Sequence, residues 1–60
     1  MRKAYFVVYL DRANYWRWRL VAANGEIVAA SEAYVSKSNA IRSAERVKVI
    51  AESATIVVNQ

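Results

Sequence analysis

Asn24-Gly25 sits between two runs of alternating character, and no other feature of the 60-residue sequence restricts the fold so tightly. Asn-Gly suits a two-residue hairpin loop, because a type I′ turn needs positive φ at both central positions. Before it, from Tyr15 to Ala23, the side chains of Trp16, Trp18, Leu20 and Ala22 fall on one side and those of Tyr15, Arg17, Arg19 and Val21 on the other. Such a strand has one buried face and one wet face. After the turn, Glu26 to about Ser31 supplies the returning strand. A two-residue loop sets Ala23 opposite Glu26, and so Ala22 opposite Ile27, Leu20 opposite Ala29 and Trp18 opposite Ser31. Small residues then lie beside the indole. On the other face the same count puts Val21 across from Val28, Arg19 from Ala30, and Arg17 from Glu32 as a cross-strand ion pair.

Ala4 to Leu10 is rich in β-branched and aromatic residues and runs into Asp11-Arg12-Ala13-Asn14, whose Asp and Asn favour a turn. This is the first strand, and both of its sides are apolar. A four-residue loop puts Val7 and Tyr9 on the Trp face, whereas a loop one residue longer or shorter, or a bulge, puts Phe6 and Val8 there. Either register leaves aromatic and aliphatic groups facing away from the helix, which marks an interface. Ser36 suits the N-cap of that helix. The helix is expected from Lys37 to about Ala51, with Ala40, Ile41, Ala44, Val47 and Ala51 recurring at three- and four-residue spacing and Ile50 at the margin. Lys37, Arg42, Glu45, Arg46 and Glu52 lie mostly on the opposite side. Thr55-Ile56-Val57-Val58 then reads as a short last strand. The expected fold class is α+β: an antiparallel sheet in β-β-β-α-β order, one helix packed on one face, and one domain spanning residues 1–60.

A chain of 60 residues buries only about 60% of the surface its unfolded form exposes. Small scaffolds make up the shortage with disulfides, a metal or a second subunit. With no Cys and no His, the first is excluded and the second nearly so, and no metal site is expected. Completion by homodimerisation is the remaining remedy, with Tyr5, Val7, Tyr9, Val21 and Val28 as the expected interface. At 57% hydrophobic residues, with no Pro and a single Gly, the composition is that of a folding chain. No apolar run approaches the roughly 18 residues of a membrane span. Met1-Arg2-Lys3 leads straight into a strand-like segment, so a cytoplasmic protein without a membrane partner is expected.

Tyr5-Phe6-Val7-Val8-Tyr9, Trp16-Arg17-Trp18-Arg19-Leu20, Ala22-Ala23-Asn24-Gly25-Glu26-Ile27-Val28-Ala29, Ser31-Glu32-Ala33-Tyr34 and Ser36-Lys37 together resemble the YegP-type family of small proteins of unknown function. The likeness covers nearly the whole chain, and the Arg-Trp-Arg-Leu block followed by Ala-Asn-Gly-Glu-Ile is its most specific part. The second half departs from the pattern. Ala33 stands where the family usually has Gly, Ser43-Ala44 where it has Gly-Ile, and Ile50-Ala51 where it often has Asn-Ala. Helix packing and the preceding turn are affected, and the sheet is not. Val49 and Ile50 make the helix end more apolar than the usual pattern and extend the expected interface. Relatives often carry two copies of the unit in tandem, so the resemblance implies that a single-copy chain pairs with itself. It also implies that Phe6 and Val8 lie on the Trp face, leaving Tyr5, Val7 and Tyr9 on the second. It brings no activity, cofactor or mechanism.

The residues point away from an enzyme. There is no glycine-rich phosphate loop and no Ser in a nucleophile motif, and Asp11, Glu26, Glu32, Glu45 and Glu52 show no converging pair. No catalytic residue and no cofactor is expected. A net charge of +4 lies within the roughly 2 to 8 units of an ordinary soluble small domain. Single-stranded nucleic acid is the alternative partner, because Tyr15, Arg17 and Arg19, on one face with Tyr5 and Tyr9, combine stacking rings with cations. A further alternative is a small inhibitor or adaptor whose edge strand adds to the sheet of a larger protein.

Overall fold

The computed structural model describes residues 3–59; Met1, Arg2 and Gln60, with the start of the expected lead-in, lie outside the described residues. Strands β1 (Tyr5–Leu10), β2 (Trp16–Val21) and β3 (Ile27–Ala30) precede one helix, α1 (Lys37–Ser53). The strands form an antiparallel sheet in the order β1-β2-β3. The fold is therefore α+β, and the β-β-β-α order is as expected.

The register of β1 is set by the pairs Phe6↔Leu20, Val8↔Trp18 and Leu10↔Trp16. Phe6, Val8 and Leu10 thus share the Trp face, and Tyr5, Val7 and Tyr9 take the other. The cause is the length of the connection. Asp11 and Tyr15 flank a three-residue loop, with the Asp11 N–H donating to the Tyr15 carbonyl at 2.8 Å and the Asn14 N–H to the Asp11 carbonyl at 3.1 Å. Strand to strand this leaves five residues, one more than Asp11-Arg12-Ala13-Asn14. Asn14 closes the loop at φ 67°, a left-handed conformation that Asn tolerates better than most residues.

The second hairpin uses the same device, which corrects the expected type I′ turn. Ala22 donates its N–H to the Glu26 carbonyl and accepts from the Gly25 N–H, both at 2.8 Å, so the loop is Ala23-Asn24-Gly25. Gly25 alone in this loop has positive φ, at 92°. The Asn24 carboxamide oxygen accepts from the Glu26 N–H at 3.0 Å, spending the side chain on a local turn rather than on a left-handed backbone. Three-residue loops with a left-handed last residue also match strand twist.

The longer loop shifts the ladder by one. Val21 faces Ile27, not Val28, and Ala22 faces Glu26, not Ile27. A register shift between Leu20 and Val21 then makes Val28 the extra residue, and Leu20↔Ala29 and Arg19↔Ala30 regain the expected count. Beyond Ala30 the Ser31 N–H donates to the Trp18 carbonyl at 2.9 Å, while the Ser31 hydroxyl accepts from the Trp18 N–H at 2.8 Å. Tyr34 rejoins as an isolated bridge to Trp16. Glu32 lies in the stretch between these two contacts, and the expected Arg17–Glu32 pair does not form; Arg17 pairs with Asp11 instead.

Ser36 caps α1, its hydroxyl accepting from the Asn39 N–H at 3.2 Å. The helix buries Ala40 and Ala44 against the sheet, with Ser43 and Val47 half-buried, while Ile41 and Ala51 are exposed. The buried stripe is thus rotated toward Ser43 from the expected one. The small alanines let the axis approach Trp18, which is 5% exposed. Its ring meets Phe6 edge-on at 5.2 Å, and its indole N–H donates to the Ser43 hydroxyl at 3.0 Å. Tyr34 donates its phenol to the same oxygen at 2.8 Å. One serine thereby satisfies the donors of a buried Trp and a half-buried Tyr.

The expected last strand does not form. Ala54 leaves the helix in an extended conformation (φ −70°, ψ 140°), and residues 54–59 carry no regular structure. Ile56, Val57 and Val58 are 92%, 80% and 75% exposed. Their strand propensity has no ladder to act on, and an isolated extended segment gains nothing from it.

Candidate interaction surfaces

The second face of the sheet is built from Tyr5, Val7 and Tyr9 on β1 and their partners Val21, Arg19 and Arg17 on β2. Arg19 lies over the Tyr9 ring at 4.4 Å, a cation–π contact that covers one face of that ring. Arg17 is held by Asp11, Nε to Oδ2 at 2.6 Å. The Asp11 carboxylate also accepts from the Ala13 and Tyr15 N–H groups at 2.9 Å each, so one residue orders the loop and orients the guanidinium. The Arg17 hydrogen bond, followed by the Tyr15 N–H, holds the Asp11 carboxyl below its ordinary pKa, and the same bond raises that of Arg17.

The residues singled out in the sequence therefore divide. Tyr5 and Val28 are exposed, Val7 and Tyr9 are half-buried, and Val21 is buried within the chain. Tyr15 is exposed at the end of the first loop, while Arg17 and Arg19 are both engaged. The sequence marks Asp11 as a turn former but not as the partner of Arg17. Sequence reasoning missed Ser43, which was noticed only as a departure from a family pattern.

A second surface lies where the C-terminal half of α1 passes β1. Tyr5, Phe6, Leu20, Val47, Lys48 and Ala51 are among the residues lining an open gap of about 380 Å³. β1 is an edge strand, bonded to β2 on one side only. Among the described residues no cluster of three or more acidic side chains could hold a metal, and no helix is long and apolar enough to cross a membrane.

The architecture is that of a small β-β-β-α unit with an open three-stranded sheet. Residues 11–57 match the family model described as a domain of unknown function, DUF1508. A "UPF0339 protein" of Treponema denticola is 42% identical over 52 residues, which is 87% of this chain and 90% of that protein. Another from Methanosarcina acetivorans is 43% identical over 53 residues, covering 88% and 91%. An NMR solution structure of a protein from Haloferax volcanii superposes with a TM-score of 0.83 at 43% identity, over 98% of this chain and all of that one. The chain belongs to the DUF1508 family, whose UPF0339 members are the YegP-type proteins, and that family is of unknown function.

Proposed function

We propose that this chain is a non-enzymatic homodimeric module whose role is protein interaction or structural, and whose fourth strand, Thr55–Val58, forms on association. The observation that carries the reading is surface area. The chain exposes 5274 Å² at a mass of 6.8 kDa, whereas a folded monomer of that mass exposes about 4000 Å². A surplus of about 1300 Å² per chain exceeds the roughly 800 Å² each partner contributes to a standard interface. The radius of gyration agrees, at 12.9 Å against about 10.4 Å for 60 compact residues. Large apolar side chains are exposed, among them Tyr5, Ile27, Val28, Ile50 and the Ile56–Val58 run. Association removes such area from water at about 25 cal/mol per Å². Light scattering at micromolar concentration is expected to give twice the chain mass, and a well-folded monomer would refute the reading.

Single-stranded nucleic-acid binding is the second reading, supported by the exposed rings of Tyr5 and Tyr15 and the net charge of +4. It is the weaker one, because Asp11 neutralises Arg17 and Arg19 already occupies Tyr9. Titration of labelled oligonucleotides at two salt concentrations separates the two. Binding that falls steeply with salt and is lost in Arg17→Ala with Arg19→Ala would favour nucleic acid. A free edge also accepts a strand from a different protein, the adaptor reading, in which case the isolated chain stays monomeric.

A further inference from the structure

We infer that the groove between Tyr34 and the outer side of α1 seats an acidic amphipathic helix of a different protein, a carboxylate of that helix being held by Arg42 and Arg46. The inference rests on the protein-interaction reading and names the partner by its chemistry; it does not depend on the dimer. α1 packs on β2 and β1 but not on β3, and Tyr34, which bridges Trp16 on the β3 side of the sheet, meets the helix across the wedge left there. Tyr34, Asn39, Arg42, Ser43, Arg46 and Val47 are among the residues lining this groove of about 420 Å³. It is rich in donors. Arg42 and Arg46 are exposed, one helical turn apart, and form no ion pair among the described residues. Ser43 accepts from Trp18 and from Tyr34, which occupies both lone pairs of its oxygen and leaves its own hydrogen to donate. No acidic side chain lines the groove among the described residues. The complement of such a set is a carboxylate, whose two oxygens accept from guanidinium groups in short, charge-assisted bonds.

Shape and charge choose the occupant. Arg42, Arg46 and Ile50 form a ridge at four-residue spacing with a hollow on either side, the second hollow measuring about 350 Å³ and including Glu45 and Val49. A ridge of this spacing between two grooves is the surface on which another helix packs. Both hollows are open, whereas pockets for small molecules enclose most of their ligand. Glu45 repels acid from the second hollow, where Val49 is 71% and Ile50 55% exposed. The partner helix therefore sets its carboxylate in the first hollow and an aliphatic side chain in the second. A nucleic-acid strand, charged along its whole length, does not divide itself in this way. A second copy of α1 would bring Lys37, Arg42, Arg46 and Lys48, against Glu45 and Glu52, to a ridge that is already basic.

The test is an NMR titration of the labelled full-length chain with an Ala-based helical peptide of about 18 residues carrying two Glu at i and i+4 and two Leu beside them. Saturable shifts are expected at Tyr34, Asn39, Ser43 and Val49. Replacing Glu by Gln in the peptide, or Arg42→Gln with Arg46→Gln in the protein, is expected to weaken binding about tenfold or more. Gln suits an exposed helical site, so the variant keeps the fold. Arg12→Gln with Lys37→Gln removes the same charge elsewhere and is expected to change little. Equal losses in the two variants would reduce the effect to net charge and overturn the inference, as would binding that ignores the Glu-to-Gln change. Acetate alone giving the same shifts at the same affinity, or a single-stranded oligonucleotide displacing the peptide, overturns the helix as occupant. No binding overturns the inference outright, and a dimeric mass measured on the same sample leaves the homodimer reading standing.

Discussion

The indole N–H of Trp18 donates to the Ser43 hydroxyl at 3.0 Å, tying the middle strand to the middle of the helix. Tyr34 binds the same oxygen at 2.8 Å, so three segments meet on one atom. Ser43→Ala leaves the donors of buried Trp18 and half-buried Tyr34 without this acceptor. A loss of about 1–3 kcal/mol is expected, read by urea denaturation, with a red shift of the tryptophan emission. An unchanged midpoint would mean that water replaces the serine at no cost.

The two hairpins end on left-handed residues, and they respond differently to substitution. At Gly25, φ is 92° and an added Cβ would meet nothing within 4 Å, so Gly25→Ala costs backbone strain alone, about 1–2 kcal/mol. At Asn14, φ is 67°, and Asn14→Gly should be neutral or slightly stabilising while Asn14→Ala destabilises. Thermal melts of the three variants test the order.

Acid should weaken the first loop. The Asp11 carboxyl is held below its ordinary pKa, chiefly by Arg17 and then by the Tyr15 N–H. Its contribution is therefore complete above the unfolded-state value of about 4 and is lost as pH falls through the lower folded value. Asp11→Asn is expected to lower the melting temperature near neutral pH and to flatten its fall below pH 4. Equal acid sensitivity in both proteins would contradict this.

Dilution supplies a fourth test. If folding and association are linked, the melting temperature rises with protein concentration, and a chain ending at Ser53 loses that dependence. A melting temperature constant over a hundredfold range of concentration would separate stability from self-association.

Much of this was legible in the sequence, and the exceptions have physical causes. Alternation through Trp16–Val21 gave the strand and its buried face, and Ser36 with the Ala40, Ala44 and Val47 spacing gave the helix. Pairing across the second hairpin was right from Leu20 outward but wrong nearer the turn. There the Asn24 side chain captures the Glu26 N–H, and a one-residue difference in loop length is decided by such local bonds. The β1 register stays open on residue counting alone; the family resemblance implies Phe6 and Val8 on the Trp face, which the pairing bears out and the Asp11–Tyr15 closure produces. The Arg17 partner was misread because the chain leaves the ladder after Ser31, which residue type does not reveal. The tail was read by propensity, which reports what a segment does beside a neighbour and not whether a neighbour is present.

The exposed run at Ile56–Val58 has a consequence for the life of the protein in a cell. An extended, unstructured chain end is what proteases cut first. Where that end is sheltered by a second copy, mass action couples survival to abundance: a dilute population sheds its tails into the reach of degradation, and a concentrated one protects itself. A homodimer sheltering that end would carry a built-in threshold of expression, below which it does not persist.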